Sequence, residues 1–78
     1  MITSLQCLAL RALKVYPKTA RGLATELNRE GDYWGYDRVH NTLRRLENRN
    51  LVRRISDRPA LWEVTATGAR ELKDYERG

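Results

Sequence analysis

The sequence predicts a mostly helical α+β fold in which three helices lead into a β-hairpin and a last helix closes the chain. Three observations predict it. Apolar residues recur at spacings of three and four from Leu5 to Leu46, the period of helices with one buried face. The pattern then shortens to two strand-like runs around a cluster of turn residues. A threonine-led amphipathic segment follows them. The chain has 78 residues, enough for a single domain over 1–78 with a thin core.

The first helix is expected over residues 3–16. Leu5, Leu8, Ala9, Ala12, Leu13 and Tyr16 make its apolar stripe. Thr3 and Gln6 have capping-box spacing, and Pro17 ends the helix by pushing the preceding residue out of helical geometry. Leu10 and Val15 fall off that stripe and are expected on the surface. A second, shorter helix spans 19–28 with Thr19 as N-cap and Leu23, Ala24 and Leu27 inward. Gly22 weakens it unless a neighbouring helix comes close there. Residues 29–35 read as a loop, and Tyr33, Trp34 and Tyr36 make that region aromatic.

The third helix is expected over 36–49. Val39, Leu43 and Leu46 face inward, with Asp37 in the first turn and Arg49 in the last, as the helix dipole favours. Asn50 sits where a helix wants a left-handed residue after its end. Strands are expected over 51–55 and 61–64, joined by the turn Ser56-Asp57-Arg58-Pro59-Ala60. A short strand near Lys18 is expected to pair with this hairpin. Thr65 or Thr67 caps the last helix, which runs to residue 75 with Ala69, Leu72 and Tyr75 inward.

Composition narrows the function. Lys and Arg total 15 against 10 Asp and Glu, a net charge of +5, which attracts polyanions. No run approaches the ~20 apolar residues of a membrane span, so a cytoplasmic location is expected, nucleoid-associated in a prokaryotic or viral setting. One cysteine and one histidine cannot assemble a zinc site of three or four ligands, and no cofactor is expected. Cys7 reads as a small helix hydrophobe. No Gly-rich phosphate loop, nucleophile–base pair or carboxylate pair is present, so the chain is not expected to be an enzyme.

The second and third helices form a candidate helix-turn-helix, whose second helix enters the major groove of DNA. With Val39, Leu43 and Leu46 inward, the outer face carries Tyr36, Asp37, Arg38, His40, Asn41, Arg44, Arg45 and Asn48, and Glu47 pairing with arginines of the same helix would account for part of its charge as a solvated surface. Arg pairs bidentately with guanine and Asn with adenine, as base reading requires. Thr19 and Arg21 at the start of the second helix, and Arg54 and Arg58 on the hairpin, complete the expected DNA-binding set. Arg53 serves equally as a DNA contact or as a charge guarding an edge strand.

The stretch RVHNTLRRLENRNLVRR, followed by LWEVTATGAREL, resembles the winged-helix transcriptional regulators of the MarR and PadR type. In those regulators the recognition helix ends in Leu-x-x-Leu-Glu-x-x-Gly-Leu-Val. Here Leu43, Leu46, Glu47, Leu51 and Val52 match, with Asn50 at the glycine. A second phrase, an aromatic and an aliphatic residue before Thr-x-x-Gly, matches Trp62, Val64, Thr65 and Gly68. The resemblance implies a winged helix-turn-helix that binds specific double-stranded DNA sequences and regulates transcription, for instance as a repressor. Such regulators carry further helices for dimerisation, so a homodimer here would use Leu10, Val15 and the last helix. No small-molecule effector is expected in so few residues. The competing reading is a winged helix that docks proteins within a nucleic-acid-processing complex, which the aromatic residues Tyr33, Trp34 and Tyr36 suit.

Overall fold

The computed structural model describes residues 2–29 and 34–78; Gly31, Asp32 and Tyr33 of the aromatic loop lie outside them. The elements are α1 (Ser4–Val15), β1 (Lys18–Thr19), α2 (Ala20–Arg29), α3 (Tyr36–Asn48), β2 (Val52–Asp57), β3 (Ala60–Val64) and α4 (Ala66–Arg77). This is the mostly helical α+β fold that the periodicities predict, within a residue or two at most boundaries. Among the described residues no helix is long and apolar enough to cross a membrane.

Local chemistry accounts for the helix ends. Thr3 and Gln6 form the capping box in both directions. The Gln6 N–H donates to Thr3 Oγ1 at 3.1 Å, and the Thr3 N–H donates to Gln6 Oε1 at 3.0 Å. Two of the orphan amide donors of a helix start are thus satisfied. Thr19 caps α2 by accepting from the Gly22 N–H at 3.0 Å. A Cβ on Gly22 would meet only that hydroxyl, at 3.2 Å, so no neighbouring helix requires the glycine. At the end of α3, Asn50 adopts φ 61°. Its N–H donates to Glu47 O at 2.9 Å, and the Leu51 N–H reaches back to Leu46 O at 2.9 Å. That is a Schellman ending with asparagine in the glycine place.

Helix α1 departs from its predicted stripe. Leu10 is fully buried, and Cys7 is buried with it. Leu8 and Ala12 are only half-buried, and Tyr16 is 58% exposed. The reason is tertiary. Helix α1 packs against α2, α3, β3 and α4, and a helix with neighbours on several sides buries more than one stripe. Tyr16 lies beyond the helix end in extended backbone, so it leaves the periodicity. The burial of Leu10 removes it from any pairing surface, whereas Val15 is exposed as expected. In α4, Leu72 is buried and Ala69 half-buried, but Tyr75, expected inward, is 39% exposed near the chain's end.

The strand expected near Lys18 forms. The sheet order is β1-β3-β2, all antiparallel, with Lys18 opposite Trp62 and Arg53 opposite Glu63. The hairpin turn is tighter than the five residues expected. A bulge between Arg54 and Ser56 restores pairing, so Asp57 opposes Ala60 and only Arg58 and Pro59 remain between the strands. An extra residue absorbed in this way bends the strand and raises its twist.

The core gathers Leu5, Leu10, Leu13, Leu23, Leu27, Val39, Leu43, Leu46, Leu51 and Leu72 around Trp62. Each such aliphatic side chain stabilises the fold by roughly 1.5–3 kcal/mol on burial. Lys18 is buried too. Its ammonium donates to the carbonyls of Ala12 at 2.7 Å and Tyr16 at 3.3 Å. It also lies 3.8 Å from a Glu26 carboxylate oxygen and 3.5 Å from the Tyr16 ring centroid. One cation thereby satisfies carbonyls at the end of α1, where the dipole favours positive charge.

Candidate nucleic-acid interface

Val39, Leu43 and Leu46 are all buried, which fixes the rotation of α3 and turns its opposite face outward. At 100° per residue, Asp37, Asn41, Arg44 and Asn48 stand along the middle of that face. Tyr36, His40 and Glu47 fall on the flank toward the sheet, and Arg38 and Arg45 on the other flank. The contacts agree. His40 lies edge-on to Trp62 of β3, with centroids 6.5 Å apart, and Glu47 accepts from Arg54 of β2 at 3.1 Å.

The flank toward the sheet gathers four of the ten expected residues. Thr19, Arg21, Tyr36 and His40 line one cleft with Trp62 and Pro59, of about 370 Å³. Its aromatic side chains form a row. Tyr36 stacks on His40 at 6.0 Å, the Arg21 guanidinium lies 5.4 Å from the Tyr36 ring, and the Arg54 guanidinium lies 5.2 Å from the Trp62 ring. The start of α2, the start of α3 and the hairpin therefore meet in one place.

The opposite flank gathers three more. Arg38, Asn41 and Arg45 share a groove with Thr3, Ser4 and Trp34. Trp34 packs on the core as a partly buried residue, and its backbone N–H donates to Asn28 Oδ1 at 3.0 Å. The Arg38 guanidinium lies 4.5 Å from its ring. Arg44 projects from the middle of α3, and Arg58 occupies the hairpin tip; both are exposed.

The arginines divide by their partners. On the hairpin, Arg53 is ion-paired with Glu63 across the strands. Arg54 is held by Glu47 at 3.1 Å and lies 3.9 Å from Asp57. Among the described residues, Arg21, Arg38, Arg44, Arg45 and Arg58 make no such pair. Five arginines without an ion pair among the described residues thus stand on α3, at the start of α2 and at the hairpin tip; Lys14, Arg29, Arg70, Lys73 and Arg77, on α1, the end of α2 and α4, make none either. Sequence reasoning missed Trp62 as the platform behind His40 and Arg54. Glu47, expected to pair with arginines of its own helix, instead holds Arg54 of β2.

The fold is shared with solved structures. The chain superposes on H. salinarum RosR with a TM-score of 0.83 and 20% identity, over 97% of this chain and 72% of that one. It superposes on the PadR-like transcriptional regulator BC1756 from Bacillus cereus with a TM-score of 0.81 and 17% identity, over 96% and 47%. For Bacillus subtilis PadR in complex with operator DNA the TM-score is 0.79 and the identity 13%, over 94% and 46%. The chain has the winged-helix fold of PadR-type transcriptional regulators. In this winged helix, α3 is the third helix and β2–β3 the hairpin wing. The chain spans under half the length of the two Bacillus proteins. No family model matches the sequence, and no curated protein matches it.

Proposed function

We propose that the chain binds double-stranded DNA sequence-specifically and acts as a small transcriptional regulator without a small-molecule effector. One observation carries the reading. The outward face of α3 presents Arg38, Asn41, Arg44 and Arg45 with no carboxylate paired to its arginines among the described residues, on a fold shared with a PadR solved on operator DNA. An α-helix fits the major groove, where Arg and Asn side chains distinguish guanine and adenine by paired hydrogen bonds. Asn41 and Arg44, in the middle of the face, are the proposed base readers. Arg21 at the start of α2 and Arg58 at the wing tip are the proposed backbone contacts, which position the helix without reading sequence. Arg54 supports the wing through Glu47 and Trp62 beside them.

Pairing of two copies belongs to the same reading. A single small domain reads few base pairs, and two-fold pairing on a pseudo-palindrome lengthens the site. With Leu10 in the core, the large apolar residues exposed on or beside α1 and on α4 are Val15, Tyr16 and Tyr75, and this surface is the proposed pairing face.

Selection of bound duplexes from a random library, followed by titration across ~50–200 mM salt, tests the proposal. An enriched motif and an affinity that falls by orders of magnitude with salt are expected. Absence of binding to any duplex at the lowest salt overturns it in favour of protein docking.

A further inference from the structure

The groove on the far flank of α3 has a chemistry of its own. It lies between the start of α1 and the recognition helix, with a volume of about 590 Å³. Arg38 and Arg45 are seven residues apart, so they point in nearly the same direction from the helix, two turns apart. Asn41 lies between them. The hydroxyl residues Thr3 and Ser4, at the start of α1, line the groove with them, and so does Trp34. Among the described residues, none that lines the groove carries a carboxylate. Asp37, the acidic residue next to Arg38 in sequence, projects about 100° away around the helix.

Two further observations bear on what fits there. The Arg38 guanidinium is stacked at 4.5 Å from the Trp34 ring, which limits its freedom and orients its N–H fork. The Trp34 indole N–H is buried and has no hydrogen-bond partner among the described residues. Buried donors are normally paired; the groove itself presents the guanidinium donors of Arg38 and Arg45 with no acidic partner among the described residues. Two guanidiniums and hydroxyls, with no carboxylate among the described residues, select an anion with several oxygens, and a phosphate group has that chemistry.

We propose that this groove binds a phosphodiester of the DNA backbone, on the side of α3 opposite the wing. The inference rests on the DNA-binding reading and deepens it. Arg38 and Arg45 are then backbone contacts, and base reading stays with Asn41 and Arg44. The recognition helix is anchored on both flanks, by the wing tip on one and by the start of α1 on the other. A helix held from one side can roll in the groove, and a second anchor fixes its rotation.

The test uses the full chain and a mixed-sequence duplex, with affinity measured across ~50–200 mM salt. Arg45→Gln and Arg38→Gln are each expected to lower the slope of log affinity against log salt by about 0.9, the value for one phosphate contact. The motif enriched from a random library is expected to stay the same, and Arg38→Lys is expected to restore the slope in part. Unfolding midpoints matching wild type show that these exposed positions have not altered the fold. In parallel, the Trp34 indole signal is followed by nuclear magnetic resonance against duplex and against inorganic phosphate. A shift with duplex supports the proposal. A shift with inorganic phosphate and none with duplex overturns the DNA backbone as the source. Unchanged slopes, or an altered motif in the Arg45 variant, overturn the proposal while leaving DNA binding intact. Absence of wild-type binding to any duplex defeats the functional reading itself.

Discussion

A Cβ atom on Gly68 would stand 2.0 Å from the carbonyl oxygen of Leu51. That contact joins the two most legible phrases of the sequence. The end of α3 turns through Asn50 into Leu51, and the start of α4 docks on it. The Thr65 N–H donates to Leu51 O at 3.0 Å, Thr65 Oγ1 donates to Asn50 O at 2.7 Å, and Thr65 Oγ1 also accepts from the Gly68 N–H at 3.0 Å. Gly68→Ala is expected to destabilise the domain by about 3 kcal/mol, because rigid backbone must shift to admit a methyl group. In a domain of this size that lowers the Tm by more than about 10 °C. Gly22→Ala, which crowds only the Thr19 hydroxyl, is expected to stay within about 1 kcal/mol of wild type. Thermal unfolding of the two variants separates the cases; equal Tm values would refute the close-approach account.

Asn50→Ala is expected to cost about 1 kcal/mol, since alanine tolerates a φ of 61° less well than asparagine. Denaturant unfolding reads this directly, and an unchanged midpoint would show that the turn relaxes without cost.

Arg44→Ala and Asn41→Ala are each expected to weaken binding to the selected site by about 1–3 kcal/mol and to relax preference at one base pair. Arg58→Ala is expected to weaken all duplexes alike. Library selection repeated with each variant distinguishes these outcomes, and an unchanged motif in both helix variants removes α3 as the reader.

Much of this fold was legible because its signals are local. A capping box, a proline stop, a left-handed asparagine and a Thr-x-x-Gly start each depend on residues within one helical turn. The burial of Leu10 was not legible, because it depends on elements distant in sequence that pack against α1. Nor was the two-residue hairpin turn, since a bulge at Ile55 shifts the register without any glycine to mark it. For the candidate site, the outward face of α3 followed from its periodicity. The division of the arginines did not. Glu47 and Glu63 engage Arg54 and Arg53 through cross-element pairing, which residue spacing does not encode.

Glu47→Gln removes the main ionic partner of Arg54 and raises the net charge by one. Exposed ion pairs contribute about 0–1 kcal/mol, so stability is expected to change little. Binding to a mixed-sequence duplex is expected to tighten, with a steeper dependence on salt. Fluorescence anisotropy across salt concentrations measures both, and unchanged affinity would place Arg54 away from the DNA.

Sedimentation on a selected duplex is expected to show two copies per site, and Val15→Asp to reduce this to one. Two copies with the Val15 variant unaltered would assign pairing to another surface.

The ammonium of Lys18, enclosed between α1 and α2, offers a chemical clock of opening. The chain's other lysines, Lys14 and Lys73, are exposed, so an amine-acylating reagent reaches them in the native protein. Lys18 reacts only when the end of α1 and the first strand separate, because its amine is otherwise buried and donates to two carbonyls. The ratio of label on Lys18 to label on Lys14, read by mass spectrometry over time, therefore reports how often this corner of the domain unlocks.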